Sequence, residues 1–420
     1  MRIMSSSPDR RQRVRGVFAY LGLQRGTAGV LLAIVLMGMG EHMSERFLPV
    51  YLTALGGGAL AVGGLQALDN LLSALYSLPG GYLAERIGPK RALLAFSMAA
   101  MLGFAVVILI PVWQAVLIGA VLFIAWSAIS LPATISLMYQ SLPPERRTMG
   151  VTMHSLTRRI PMALGPVLGG VLIGAWGTRD GVRAALAVAL ALAGGALVFQ
   201  QRLIREDSTV PPGVPMSATG NPVRLMRSMG SPLRRLLVAD ILIRFCEQIP
   251  YAFVVIWCMQ SIPEPVSAVQ FGLLTSIEMA VAVLVYIPVA HWADRTAKKP
   301  FVLMTFVFFT LFPLVLLFSR TFAWLVFAFI LRGLKEFGEP TRKALILDLA
   351  PDDHKPSVFG LYYLIRDVIV SAAALGGAFL WQIGPQVNFL SAFAFGLLGT
   401  LGFALWGRDL PSPQGPAKPA

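Results

Sequence analysis

Asp240, Arg244 and Glu247 are spaced i, i+4 and i+7, which places them on one face of a helix. Arg332, Lys335, Glu336 and Glu339 repeat the pattern at i, i+3, i+4 and i+7. A third group sets Glu41 one turn from Glu45 and His42 one turn from Arg46. Asp69, Glu278, Arg366 and Asp367 add further charges, and Tyr362 and Tyr363 precede the last two by one turn. A carboxylate in a poorly hydrated cavity holds its proton more tightly, while a neighbouring guanidinium drives the proton off. A group that alternates between two such surroundings can load a proton on one side and release it on the other. This is proton and charge-pair chemistry, not bond cleavage. The sequence has no HExxH, no nucleophile motif and no nucleotide loop, and Cys246 and Cys258 lack metal spacing. The chain therefore reads as a non-enzyme, with no cofactor and no metal.

All of these charges fall inside apolar stretches. The chain is 56% hydrophobic and 13% charged, with a mean hydropathy of +0.70. A soluble chain of this length carries about twice that share of charge, so a soluble class is excluded. Stretches of roughly 20 apolar residues are needed to cross a bilayer. Twelve occur, near 27–54, 59–83, 92–111, 113–141, 148–176, 182–201, 233–259, 266–292, 300–319, 321–348, 357–383 and 386–406; they are called spans 1 to 12 below. Residues 202–232, with PPGVPMSATGNP, are too rich in Pro, Gly and Ser for a helix and read as a linker. This divides the chain into a basic amino-terminal arm (1–26), a six-helix bundle (27–201), the linker (202–232), a second bundle (233–407) and a tail (408–420).

Lys and Arg concentrate in alternate loops, among them Arg86, Lys90 and Arg91, Arg146 and Arg147, and Arg295, Lys298 and Lys299. By the positive-inside rule both termini are cytoplasmic. The net charge of +14 is largely this bias; it implies contact with anionic lipid head groups, not nucleic acid. The halves also echo each other. Pro132 and Pro340, Pro143 and Pro351, Arg158 and Arg366, and Gly169 and Gly377 are each 208 residues apart, as expected of a duplicated unit.

The loop after span 2, GYLAERIGPKRAL at 81–93, resembles the signature loop of the major facilitator superfamily, G-x-L-a-D-r-x-G-r-k-x-x-l. Gly81, Leu83, Ala84, Arg86, Gly88, Lys90 and Leu93 match; Glu85 stands for the family's Asp, and Pro89 for a basic residue. The loop after span 8 keeps Asp294, Arg295, Lys298 and Lys299 without the glycines. The resemblance implies an all-α membrane fold of twelve transmembrane helices in two pseudo-symmetric six-helix bundles. It also implies that Gly81, Glu85, Arg86, Gly88, Lys90, Arg91, Asp294 and Arg295 help close a cytoplasmic gate, where a purely topogenic basic loop is the other reading. In that fold, helices 3, 6, 9 and 12 are peripheral, and here they have no charged residue in their cores. Helices 1, 4, 7 and 10 line the cavity, and three of the four carry charge. Span 4 carries only Trp126, Ser127 and Ser130. In span 5, Gly165-Pro166 and Gly169-Gly170 resemble the family's antiporter signature, with Pro161 at an expected glycine.

Ionisable groups at bilayer depth cost about 2.5–3.5 kcal/mol each on the milder scale, so they require a cavity or a partner. Either role is open to them. Arg244 with Asp240 or Glu247, and Arg332 with Glu336, can neutralise each other within one helix. Glu41, with Asp69 and Glu278 after it, has no obvious helix-mate base and is the leading proton carrier. The expectation is a monomeric secondary transporter of the inner cell membrane, working by alternating access. Its partners are a small-molecule substrate, protons and the lipid bilayer. Proton-coupled efflux of a small organic or drug-like compound is the first reading. An uptake symporter for a charged metabolite is the second, and a non-transporting sensor or scaffold the third.

Overall fold

The computed structural model describes residues 25–123, 126–141, 147–203, 226–227, 229–293, 298–351 and 355–408. The arm 1–24, most of the linker, Asp294, Arg295 and the tail beyond Arg408 lie outside these, as does the side chain of Glu85.

The described residues are helical almost throughout. Ala59–Ile87 is span 2, Pro89–Leu109 span 3, Ala268–Ala293 span 8, Lys299–Phe318 span 9, Lys355–Ile383 span 11 and Pro385–Trp406 span 12. Trp113–Phe123 and Trp126–Ser141 together make span 4. Spans 5 and 6 form one helical run, Arg147–Leu203, reversed at Gly177, whose φ of 75° is open to glycine and strained for other residues. Proline in the first turn starts spans 3, 7, 9 and 12, where its missing N–H costs nothing. Gly88, at φ 88°, ends span 2 and begins span 3 with no residue between them. The glycine of the loop motif thus makes the tight turn its type anticipates.

Three spans depart from the continuous helices the sequence predicts. Span 1 is Arg25–Glu45 followed by Leu48–Ala54. Span 7 is Ser231–Tyr251, then Phe253–Ile256 and a π-turn at Trp257–Ser261, with a 41° bend. Span 10 is Phe322–Leu334 and Glu339–Leu349, separated by turns at 335–338. Among the described residues, seven helices are long and apolar enough to cross a membrane, or eight with the bent span 7 counted. The run across Gly177 supplies two spans, and spans 1, 2 and 10 complete the twelve.

The packing repeats between the halves. Span 1 packs on span 5, and span 7 on span 11. A Cβ on Gly169 would collide with the Met43 carbonyl, and one on Gly377 with the Ile249 carbonyl. These two glycines are the pair 208 residues apart, so the repeat extends to a shared backbone contact. Between the bundles, span 2 meets span 11 and span 5 meets span 8, an exchange that a pseudo-twofold axis requires. Gly170 abuts the Ala268 carbonyl, Gly272 abuts that of Pro166, and Ser276 Oγ donates to the Ala163 carbonyl at 2.6 Å. Spans 3, 6, 9 and 12 turn Met98, Leu102, Val198, Phe318, Leu398 and Leu405 outward, as lipid-facing helices do.

Candidate functional site

The second bundle holds a continuous network of ion pairs. Asp240 on span 7, 1% exposed, meets Arg342 of span 10, also 1% exposed. Arg366 of span 11 approaches the same carboxylate at 3.4 Å, and the Tyr362 hydroxyl donates to it at 3.1 Å. Arg342 also reaches Glu339 at 2.7 Å, and Glu339 faces Arg244 at 3.6 Å. Arg244 then donates to Glu247 at 2.6 Å, and Lys335 donates to the other oxygen of Glu247 at 2.8 Å. Lys335 (3.5 Å) and Arg332 (3.3 Å) flank Glu278 of span 8. Arg366 closes the set by donating to Asp367 at 2.7 Å. Each buried acid here has at least one cation beside it, which is the condition for keeping charges out of water.

Aromatic rings cover the cations. Arg332 lies over the rings of Phe312, Phe329 and Tyr251, and Arg244 and Lys335 over that of Phe309. Arg46 of span 1 stacks on Tyr251 at 5.3 Å, the distance at which Arg332 stacks on the same ring. Tyr251 thus links a cation of one bundle to a cation of the other.

The first bundle is organised differently. Glu41, 5% exposed, accepts a 2.7 Å hydrogen bond from Ser127 of span 4. It forms no ion pair among the described residues. Asp69 likewise has no cationic partner there; Gln66 and Ser73 donate to it at 3.3 and 3.4 Å. His42 Nδ1 lies 2.7 Å from Glu45. Between the bundles, Glu45, Arg46, Gln66, Asp69, Tyr251 and Arg332 line a cavity of about 470 Å³, including its part open to solvent. Two polar bridges also join the bundles: Asn70 donates to Gln248 at 3.1 Å, and Arg159 stands 3.9 Å from Glu336.

Of the pairings expected within single helices, Arg244 with Glu247 is present, and the others are corrected. Arg332 pairs with Glu278 of span 8, not with Glu336, because the turns at 335–338 break the helical face joining them. Gly338 anchors this break by donating its N–H to Thr305 at 2.6 Å. Glu336 is turned toward Arg159 of the other bundle instead. Asp240 pairs with Arg342 and Arg366, leaving Arg244 to Glu247 and Glu339. Glu278, with no Lys or Arg on its own helix, is flanked by two cations of span 10. Arg342 was missed in the sequence. It lies three residues beyond Glu339 and continues the charged stripe of span 10, so the rule that selects the others also selects it. Arg159 and Tyr251 carried no such signal, because their partners lie on distant spans.

Of the residues expected at a cytoplasmic gate, Gly88 forms the span 2–3 turn and Arg86 donates to Tyr82 at 3.4 Å. Lys90 Nζ donates to the Gln201 carbonyl at 3.4 Å, and Gln200 donates to the Lys90 carbonyl, which ties the turn to the end of span 6. Asp294 and Arg295 lie outside the described residues. Among the described residues no group of three or more His, Cys, Asp or Glu could hold a metal ion.

The family model of the Major Facilitator Superfamily matches residues 30–263 and 236–420. Several solved structures share the fold. A mutant of the peptide transporter POT in complex with alafosfalin superposes with a TM-score of 0.74 at 15% identity, over 91% of this chain and 93% of that one. A POT family transporter in complex with 5-aminolevulinic acid gives 0.74 at 12% identity, over 91% and 95%. A mutant of the nucleoside transporter NupG gives 0.77 at 12% identity, over 91% and 100%. No curated protein matches the chain in sequence.

Proposed function

The chain belongs to the major facilitator superfamily of secondary transporters, and on that premise we propose that it couples protons to the transport of a small polar compound bearing charged groups. One observation carries the coupling: the contrast between the two bundles. The acids of the second bundle stand beside cations, whereas Glu41 and Asp69 in the first are held by hydroxyl and amide donors alone. A buried carboxylate without a counter-charge is stabilised by taking up a proton. Those two acids are therefore the proton carriers, and the paired network is the scaffold around which the bundles move.

The cavity lining supports a polar cargo. Arg46, Arg332, Glu45 and Asp69 offer both signs of charge within one space, and a purely lipophilic compound would desolvate Arg46 and Asp69, which have no ion-pair partner among the described residues. Peptide and nucleoside transporters share the fold, and their cargoes are polar in the same sense. The Gly165-Pro166 and Gly169-Gly170 stretch, through its resemblance to the antiporter signature, favours export. The polar lining favours the second reading, uptake of a charged metabolite with the proton. In either case the protein is a monomer of the inner cell membrane. Both termini are cytoplasmic, two bundles (27–201 and 233–407) are joined by the 202–232 linker, and the span 2–3 turn is part of the cytoplasmic gate.

Purified protein in sealed vesicles separates these readings. Cargo moving against the proton gradient's direction supports export, and cargo moving with it supports uptake. Flux that ignores an imposed pH gradient would remove proton coupling in both.

A further inference from the structure

Midway along spans 1 and 4, a second pocket is enclosed by the first bundle alone. Gly38 and His42 of span 1, Trp126, Ser130 and Thr134 of span 4, and His154 and Arg158 of span 5 line it, and it measures about 320 Å³ with its open part included. Two of its polar groups can only donate, the Arg158 guanidinium and the Trp126 indole. Trp126 is 5% exposed, and its indole N–H is buried with no acceptor. An indole can only donate, so this N–H waits for an acceptor that no described residue supplies. Arg158 has no ion pair or hydrogen bond among the described residues, unlike its repeat-mate Arg366, which is held by Asp240 and Asp367. Ser130 is buried on the same wall. Thr134 and His154 engage each other at 3.2 Å. Burying donors unmatched is costly, about 1–3 kcal/mol for each group left without a partner.

We propose that this pocket is an oxyanion subsite, in which Arg158, the Trp126 indole and Ser130 receive a carboxylate or phosphoryl group of the transported compound. A guanidinium presents a planar fork matched to two oxygens of such a group. Its depth, midway along the spans, separates it from lipid head groups, so the anion is a soluble one. Ser127, which also lines the pocket, donates its hydroxyl proton to Glu41, and the Glu41 carboxylate itself is absent from the lining. The inference deepens the transport reading by naming the cargo's chemical class, and it rests on that reading only for the identity of the anion as cargo.

Isothermal titration of the full chain in detergent tests it, with sulfate, inorganic phosphate and acetate as probes at ionic strength fixed by chloride. The wild type should bind at least one of them saturably and quench tryptophan fluorescence. Arg158→Gln should weaken binding by about 10- to 100-fold, the range for hydrogen bonds to charged groups. Trp126→Phe should weaken it by about 3- to 10-fold and abolish the quench. The surface variant Arg320→Gln should bind as the wild type does. Should Arg158→Gln fail to fold, Trp126→Phe and Ser130→Ala carry the test. Absent saturable binding, or full affinity in the variants, overturns the subsite. Such a result leaves vesicle transport untouched, and a loss of flux with binding intact would instead count against the transport reading.

Discussion

At the scale of single residues, the chain divides its buried charges by what surrounds them. Arg342 serves two acids at once, Asp240 and Glu339, from a site almost wholly out of water. Removing one partner of a buried pair leaves an uncompensated charge, at a cost of about 3–5 kcal/mol. Arg342→Leu is therefore expected to lower the thermal midpoint sharply in detergent melts. Adding Asp240→Asn should recover part of the loss, because the stranded charge is then removed. An Arg342→Leu protein as stable as the wild type would show that the network is not structural. Glu41 and Asp69 call for a different outcome. Glu41→Gln and Asp69→Asn keep their donors' partners while removing the titrating oxygen, so fold and melting point should hold. Uphill, gradient-driven transport should be lost while exchange of cargo at equal pH persists. Measuring both modes on the same vesicles checks this, and gradient-driven transport preserved in both variants would reassign the proton carriers.

At the scale of elements, glycine sets how near the helices approach. Gly169 and Gly377 meet carbonyls of spans 1 and 7 that a Cβ would strike. Overpacking of this kind costs about 1–3 kcal/mol, so Gly169→Ala and Gly377→Ala should each destabilise, and by similar amounts. Gly195 on span 6 has nothing within 4 Å of an added Cβ. Gly195→Ala should therefore be neutral or stabilise by up to about 1 kcal/mol, the helix-propensity gain. Comparative melts of the three variants decide this; equal effects at all three sites would refute the close-contact account. The sequence disclosed these elements unevenly. Apolar length located the spans, and the 208-residue echo found Gly169 and Gly377 before their contacts were known. The breaks in spans 1, 7 and 10 were not legible, because apolar length is blind to a local turn. The cost of missing the break at 335–338 was specific: Arg332 and Glu336 looked like one-helix partners, and each instead faces a different span.

At the scale of the whole molecule, the pseudo-twofold arrangement makes the contacts of span 2 with 11 and of span 5 with 8 the surfaces that must part and re-form. Gly63 and Ala378 mark the first of these: a Cβ on Gly63 would stand 2.5 Å from that of Ala378. A disulfide bridges Cβ atoms about 3.8 Å apart, so Gly63→Cys with Ala378→Cys should cross-link after a small shift. Transport should stop on oxidation and return on reduction; undiminished flux through fully cross-linked protein would exclude separation of spans 2 and 11. The fold was readable from composition, loop charge and the GYLAERIGPKRAL motif, since these are local properties of the chain. The site was readable only as a set of residues, because the partners of Glu278, Asp240 and Tyr251 come from other spans and, for Tyr251, from both bundles. The most direct test of the account loads sealed vesicles with a pH-reporting dye and adds charge-bearing small compounds outside. A change of internal pH should accompany cargo movement in the wild type and disappear in Glu41→Gln with Asp69→Asn. Cargo movement with no accompanying proton movement, equal in the wild type and the double variant, would contradict it.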